Sequence, residues 1–297
     1  MIVVSLFGGL GNQMFQYACG KAVAEELGVE LKLDITHLLD RTQRDRFTFR
    51  DFELGVFNIE DQIATTKEVR NFIPNLWNSS ELIKQSYRLI RLLKGNKYYF
   101  EKRKFQYEVR IKSVQDNTYL YGYFQTEKYF KNQKDEILKT FRIKTELDSI
   151  NKSFITKMKD ENSVSIHIRR GDYLHSPFNL LEIDSYYLKA INYISEHVEN
   201  PVFYLFTNDY EWTSTNFAQF NIDKTIINHN QGDNSFMDMI LMSNCKHNIC
   251  ANSSFSWWGA WLNQNPDKII ITPKEWFKTV NGEDTNNDLI PETWLRL

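Results

Sequence analysis

Residues 2–34 read IVVSLFGGLGNQMFQYACGKAVAEELGVELKLD, and their apolar residues follow the pattern of a β-α-β unit. The apolar run 2–7 predicts a buried strand. Residues 13–27 predict a helix with Phe15, Ala18, Ala22 and Leu27 on one face. Residues 29–34 predict a second strand. Because two strands joined through a helix run in the same direction, the opening of the chain indicates a parallel β-sheet.

The second half of the chain repeats this alternation. Strands are predicted at 163–168, 202–207, 225–228, 247–251 and 268–272, and helices at 184–198, 210–219, 234–244 and 257–262. The polar interval 144–162 has no strong period, so we place the domain boundary there, giving domains 1–150 and 151–297. The stretch 60–150 is harder to read, with helical pieces around 66–93. We predict an α/β fold whose ligand site lies at the carboxyl ends of the parallel strands.

Composition limits the function classes. The 297 residues carry a formal net charge of −2, so the protein as a whole has no strong positive electrostatic field that would attract nucleic acid. The cysteines, Cys19, Cys245 and Cys250, have no framework spacing and favour a reducing compartment. The apolar amino-terminal run is too short for a signal peptide, so we expect a cytoplasmic protein. Residues 81–112 carry ten Lys and Arg against three Glu. A solvated face is our first interpretation of this segment, and a membrane-contacting surface our second. Nucleic-acid binding is a further alternative, and it would rest on this segment alone.

The first motif is the glycine turn Gly8–Gln13 between a predicted strand and helix. Gly9 and Gly11 fit a dinucleotide-binding fingerprint, but Met14 stands where its third glycine belongs. The turn can bring backbone N–H groups close to an anionic ligand. An ordinary tight β-α turn is the alternative.

The second motif, HIRRGDY at 167–173, directly follows a predicted strand. The planar guanidinium of Arg169 or Arg170 could bind a diphosphate in a bidentate manner. The alternative is a surface ion pair with Asp172. Since adjacent side chains point in different directions, we expect one arginine to bind the ligand and the other to brace the loop.

Two further motifs end predicted strands. Asp209, in the sequence TND, could accept from a guanine edge or a ribose hydroxyl, or it could simply cap a helix. The segment 252–261, NSSFSWWGAW, brings three serine hydroxyls to a helix start, where free N–H groups favour an anion. A plain serine N-cap is the alternative. No D-x-D triplet occurs, and Cys245, His247 and Cys250 lack a fourth ligand, so we expect no metal.

Together, the blocks GGLGNQMFQYA, HIRRGDY, TND and DMILMSNCKHNICANSSFSWWGAWLN resemble the α-1,2-fucosyltransferases of glycosyltransferase family 11, in its bacterial form. The blocks span residues 8–263 in the family's order. The resemblance implies a GT-B architecture, with two Rossmann-like domains facing across a cleft. It also implies transfer of L-fucose, with inversion and without a metal, from GDP-β-L-fucose to the 2-hydroxyl of a galactose. The acceptor would be a galactose-terminated oligosaccharide or a lipid-linked glycan. The charge of residues 81–112, and not the resemblance, suggests that segment as the place of any peripheral membrane contact.

The resemblance also implies residue roles. Arg169 would bind the diphosphate and His167 would lie by the nucleotide. Asp209 would read guanine, Ser253 and Ser254 would hold phosphate, and Asn12 would face the reacting sugar. Asp172 and His167 are the nearest candidates for a general base. The predicted catalytic residues are Arg169, Asn12, His167 and Asp172, and the predicted donor-binding residues are Gly9, Gly11, Arg169, Arg170, Asp209, Asn252, Ser253, Ser254 and Phe255.

Three other functions remain open from the residues. The chain could be a related transferase with another donor or linkage, or a nucleotide-sugar-binding protein without turnover. An NAD-dependent oxidoreductase would explain the glycine turn alone, but the missing third glycine and the arginine-rich second motif count against it.

Overall fold

The computed structural model describes residues 1–42, 49–72, 97–171, 181–276 and 288–297. They form two compact units, Met1–Thr145 with Asn287–Leu289, and Glu146–Asn286 with Ile290–Leu297. Each unit contains its own parallel β-sheet with helices. The predicted α/β fold with two Rossmann-like domains, the domain content of the GT-B class, is confirmed. No helix in the described ranges is both long enough and apolar enough to cross a membrane.

The first unit has five strands in the order β3-β2-β1-β5-β4, all of them parallel. The strand order reverses between β1 and β5, so β1 lies at a topological switch point. Its elements are β1 Ile2–Ser5, α1 Leu10–Leu27, β2 Leu31–Asp34, α2 Thr36–Leu39, β3 Gln62–Ile63, α3 Thr66–Phe72, β4 Lys97–Phe100, β5 Thr118–Tyr121 and α4 Lys134–Thr140, with short 3-10 turns between them.

Helix α1 packs closely on the first sheet. A Cβ at Gly20 would lie 3.0 Å from side-chain atoms of Val4 and Leu31, so a glycine allows this approach. The helix ends at Gly28, whose φ of 63° places it in the left-handed region and whose N–H bonds to carbonyls of the last turn. Near the carboxyl terminus, Asp288 accepts hydrogen bonds from Lys128 Nζ at 2.6 Å and Tyr107 N at 2.7 Å, and so belongs to this unit.

The second unit has six parallel strands in the order β11-β10-β9-β6-β7-β8. Counted from its own first strand, β6, this is the Rossmann order 3-2-1-4-5-6, which reverses between β6 and β9. Its elements are α5 Ser149–Asp160, β6 Ser163–Ile168, a π-helical turn Ile183–Tyr187, α6 Leu188–His197, β7 Val202–Thr207, α7 Tyr210–Phe217, β8 Lys224–Ile227, α8 Phe236–Asn244, β9 His247–Ile249, α9 Ser254–Trp261, β10 Ile270–Thr272 and β11 Leu295–Arg296.

Two elements of this unit were not predicted. Helix α5 occupies most of the interval that we had interpreted as aperiodic, and Asp148 caps it by accepting from Asn151 N at 2.8 Å. The edge strand β11 pairs with β10 through Leu295 and Arg296. Strand β11 has only two residues, and α5 is a largely polar helix that buries only Asn151 and Met158, so neither gives a strong apolar signal in the sequence.

Candidate functional site

The switch point of the second sheet lies between the carboxyl ends of β6 and β9. All six residues of β6 are buried, and the chain leaves the strand into Arg169, Arg170 and Gly171. Gly171 has a φ of +44°, and a Cβ there would lie 2.4 Å from Asn208 Nδ2. Asn208 Oδ1 accepts from Arg170 N at 2.8 Å. The turn therefore requires glycine, both for its left-handed backbone and for the room that Asn208 takes.

Arg170 has the contacts of a bracing residue. Its Nε lies 3.1 Å from Asp209 Oδ2, and its guanidinium carbon lies 3.6 Å from the ring centroid of Trp212. Asp209 caps α7, because its Oδ1 accepts from Trp212 N at 3.2 Å. The TND motif thus holds the RRG loop within the second unit. The predicted guanine-reading role of Asp209 stays a prediction.

His167 is 5% exposed, and within the described ranges its Nδ1 has no hydrogen-bond partner. Its ring centroid lies 5.8 Å from that of Phe255. Burial, with a smaller effect of the Arg169 charge, lowers the pKa of His167 to about 3. The imidazole is therefore neutral at physiological pH. It can make one more hydrogen bond, but it is a weak base.

The segment after β9 forms the other side of this switch point. Ser253 caps α9, with its Oγ accepting from Phe255 N at 3.3 Å, and Asn252 Nδ2 donates to Trp276 O at 3.2 Å. Ser256 Oγ donates to the carbonyls of Ala251 and Ser253, each at 3.2 Å. Ser254 and Phe255 are half-buried at the helix start. The helix N-terminus favours an anion here, beside the end of β6, which carries His167 and is followed by Arg169.

Two tyrosines that the sequence analysis missed support the same edge of the sheet. Tyr187 OH donates to His167 O at 3.0 Å. Tyr186 OH donates to Cys250 O at 2.6 Å and to Ile271 O at 3.2 Å. Both residues come from the π-helical turn, a local feature that often occurs at functional sites. They join the ends of three neighbouring strands, and no spacing in the sequence reveals this.

The glycine turn lies at the switch point of the first sheet. Gly8 has a φ of +77°, and a Cβ there would lie 2.4 Å from Asn12 Nδ2. Gln13 is fully buried. Its Nε2 donates to Gly8 O and Asp51 O, each at 2.8 Å, and its Oε1 accepts from Glu53 N at 3.0 Å. Gln13 thus fixes the turn to a distant loop, a role that we did not predict.

Asn12 is half-buried, and its Oδ1 accepts from Gln125 Nε2 at 2.7 Å. This bond connects the segments that follow β1 and β5. Gly9 is the N-cap residue of α1, and Gly11 is buried in the first turn of that helix. Both predicted glycines therefore shape the turn that presents Asn12.

Asp34 ends β2, where a dinucleotide site carries the acid that binds the ribose, but its side chain is buried. Its carboxylate accepts from Tyr119 OH at 2.6 Å and from Thr36 N at 2.9 Å. These contacts give Asp34 a structural role and weaken the oxidoreductase alternative.

Asp172, predicted as a catalytic residue, lies outside the described residues, as do residues 81–96 of the basic segment. In the described part of that segment, Arg110 Nε pairs with Glu108 at 2.6 Å. Among the described residues there is no cluster of three His, Cys, Asp or Glu side chains that could hold a metal ion. His247 Nδ1 accepts from Ile269 N at 3.0 Å, a backbone contact within the sheet.

Comparisons with known proteins all point to one family of glycosyltransferases. The model of glycosyl transferase family 11 matches residues 1–294. The O-antigen biosynthesis glycosyltransferase WbnK of Escherichia coli is 37% identical, covering 98% of this chain and 99% of that protein. An α-1,2-colitosyltransferase of Escherichia coli is 34% identical, covering 100% of this chain and 99% of that protein. The structure of a FUT1 mutant from Arabidopsis thaliana with GDP shares the fold, with a TM-score of 0.51 and 12% identity over 94% of this chain and 71% of that one. The chain therefore belongs to glycosyltransferase family 11.

Proposed function

We propose that this family 11 glycosyltransferase is a galactoside α-1,2-L-fucosyltransferase. In this proposal it moves L-fucose from GDP-β-L-fucose to the 2-hydroxyl of a terminal β-galactoside, with inversion and without a metal ion. The second unit would hold GDP-fucose, and the first unit would hold the acceptor glycan. The motifs shared with α-1,2-fucosyltransferases and the α-1,2 linkage named for a full-length relative support this assignment.

The observation that carries the proposal is the meeting of Arg169, neutral His167 and the N-terminus of α9 at one switch point. In the transfer, the bond between fucose C1 and the diphosphate oxygen breaks, and the charge remains on the leaving GDP. The Arg169 guanidinium and the N–H groups at the start of α9 can stabilise that charge. Ser254 and Phe255 line the same helix start, and Ser253 and Asn252 hold its shape.

The acceptor 2-hydroxyl attacks C1 from the face opposite to GDP and loses its proton. His167, with a pKa of about 3, is poorly suited to take that proton at neutral pH. We assign His167 a hydrogen bond to the donor, and Asn12 the orientation of the reacting sugar. Asp172 remains our candidate general base.

A closely related donor is the second candidate. The α-1,2-colitosyltransferase matches this chain at 34% identity over its full length. Colitose is fucose without its 3-hydroxyl. A site that hydrogen-bonds this hydroxyl should therefore discriminate strongly between the two donors, on the order of 10⁴-fold. Competition between GDP-fucose and GDP-colitose for one acceptor separates the two assignments.

The first experiment measures GDP release from GDP-fucose in EDTA, with and without lactose. We expect release that requires lactose and persists in EDTA, with an α-1,2-linked product. Loss of activity in EDTA would refute the metal-free mechanism. Binding of GDP-fucose without any turnover, across a panel of β-galactosides, would instead indicate a nucleotide-sugar-binding protein.

We further propose that the protein works in the cytoplasm and contacts the inner face of the cell membrane. Lys102, Arg103 and Lys104 are exposed, and the nearby Val109 is 67% exposed. A basic, partly apolar surface favours anionic lipid. At low salt, the protein should sediment together with anionic vesicles but not with zwitterionic ones. Equal sedimentation with both would refute an electrostatic contact.

A further inference from the structure

Five rings form a continuous cluster at the carboxyl end of the first sheet, which we name the aromatic rim: Phe7, His37, Phe100, Tyr121 and Tyr123. The ring centroid of Phe7 lies 5.2 Å from that of Tyr121 and 4.8 Å from that of Tyr123. Tyr121 also contacts Phe100 at 5.7 Å and His37 at 5.7 Å. Four separate segments therefore contribute to one aromatic surface.

The rim is accessible, and it carries polar groups. Phe100 is 50% exposed on the edge strand β4, and His37 is exposed. Tyr121 and Tyr123 are half-buried, and each brings a phenolic hydroxyl to the rim. Lys104 Nζ lies 5.3 Å from the centroid of the Tyr123 ring. Apolar ring faces bordered by a few available donors are the usual composition of a small-molecule site.

The rim is continuous with the candidate site of the first unit. Phe7 directly precedes Gly8, and its backbone N–H donates to Gln16 Oε1 at 3.0 Å, which ties the backbone at Phe7 to α1. Tyr121 ends β5, the strand whose following segment supplies Gln125 to Asn12. Ligands of open parallel sheets bind at this edge, beside the switch point.

We propose that the aromatic rim binds a pyranose ring of the acceptor glycan. A β-galactoside has one face of C–H groups, which can stack on an exposed ring such as that of Phe100. Its hydroxyls can then bond to the tyrosine hydroxyls and to Lys104. The inference rests on the proposed function, because it assigns the acceptor of that reaction to these residues. A purely apolar partner would leave these polar groups unused.

The sheet offers a matched control. Phe100 and Tyr98 lie on the same face of β4, and each stacks on its neighbour in β5, at 5.7 Å and 11° for Phe100 and 5.4 Å and 9° for Tyr98. Tyr98 is 36% exposed, but it lies towards the opposite end of the strand and outside the rim. Each of the variants Phe100→Ala and Tyr98→Ala removes one exposed ring that stacks on a tyrosine of β5, so Tyr98→Ala measures the effect of such a loss outside the rim.

We expect Phe100→Ala to raise the KM for lactose about fivefold to tenfold. Tyr98→Ala should leave that KM within about twofold, and calorimetry should show the same affinity for GDP in both variants as in the wild type. Tyr121→Phe, which removes only a hydroxyl, should raise the KM for lactose by a smaller factor. An unchanged KM in Phe100→Ala, or equal increases in Phe100→Ala and Tyr98→Ala, would overturn the proposal.

A binding measurement separates this inference from the proposed reaction. If the wild type fails to transfer fucose, the proposed function fails, but binding of methyl β-galactoside can still be followed by the line broadening of its NMR signals. Broadening that persists in Tyr98→Ala and disappears in Phe100→Ala supports the rim as a sugar site. Equal broadening in both variants, or none in the wild type, overturns it.

Discussion

Replacing Gly171 by alanine should destabilise the second unit and impair transfer, whereas the same change at Gly232 should only destabilise it slightly. Both glycines have positive φ, +44° and +60°, so alanine costs about 1–2 kcal/mol of backbone strain at either position. A new Cβ at Gly171 would also lie 2.4 Å from Asn208 Nδ2, whereas nothing lies within 4 Å of one at Gly232.

The contact at Gly171 adds a second cost. Asn208 must move, and its bond to Arg170 N, 2.8 Å long, then weakens or breaks, which costs about 0.5–1.5 kcal/mol. We therefore expect Gly171→Ala to lower the free energy of unfolding by roughly 1.5–3.5 kcal/mol, and Gly232→Ala by about 1–2 kcal/mol. Because the displaced loop carries Arg169, kcat/KM should fall at least about tenfold in Gly171→Ala alone.

Urea unfolding and GDP-release kinetics on both variants test this reasoning. The unfolding midpoints report the stability difference, and the kinetics under folding conditions report the position of Arg169. Equal losses of stability in the two variants, or full activity in Gly171→Ala, would show that the Asn208 contact does not hold the loop.

The remaining predictions concern three side chains. Arg169→Ala should lower kcat/KM by about 10²–10³-fold with an unchanged melting temperature. Arg169→Lys should recover little of this activity, since lysine lacks the planar guanidinium that binds a diphosphate through two hydrogen bonds. Near-normal turnover of the alanine variant would exclude the diphosphate contact. Gln125→Ala should reduce kcat while the KM for GDP-fucose stays constant, because the variant removes the 2.7 Å hydrogen bond to Asn12 Oδ1. A changed KM for GDP-fucose with a normal kcat would contradict the role of Gln125 in positioning Asn12. Burial lowers the pKa of His167 from 6.5 to about 3 in the folded protein. Between these two values the unfolded chain binds a proton that the folded protein does not. The free energy of unfolding should therefore fall as the pH is lowered from 6.5 towards 3. Urea titrations at several pH values should give a steeper loss, up to about 1.4 kcal/mol per pH unit, for the wild type than for His167→Gln; parallel profiles would place the pKa near its ordinary value.

The predictable part of the fold is its buried centre. Strands β6 and β7 were predicted at their observed bounds. Val, Ile and Ile alternate with polar residues along 163–168, residues 202–207 are mostly apolar, and both stretches end at distinct polar loops. Helix α1 begins at Leu10, earlier than the predicted Gln13, because packing on the sheet outweighs the poor helix propensity of glycine and asparagine in its first turn. Edge strand β3 has only the exposed residues Gln62 and Ile63, and an exposed pair gives no alternating pattern.

The site was predictable where its residues share a motif. Arg169, His167 and Ser253 were found because each lies at or just after the carboxyl end of a predicted strand, and parallel strands bring their carboxyl ends together. Gln125 could not be found this way, since 113 positions separate it from Asn12. Its contribution depends on strand order, which the local pattern of residues does not encode.

The position of Asp288 affects how chimeras of family members should be built to exchange their acceptor specificity. The first unit is discontinuous in sequence, because the segment Asn287–Leu289 belongs to it while residues on either side belong to the second unit. A chimera joined at a single crossover near Thr145 would pair Lys128 and Tyr107 with a foreign residue in place of their own Asp288. A chimera that is meant to change acceptor preference should therefore exchange Met1–Thr145 and Asn287–Leu289 together.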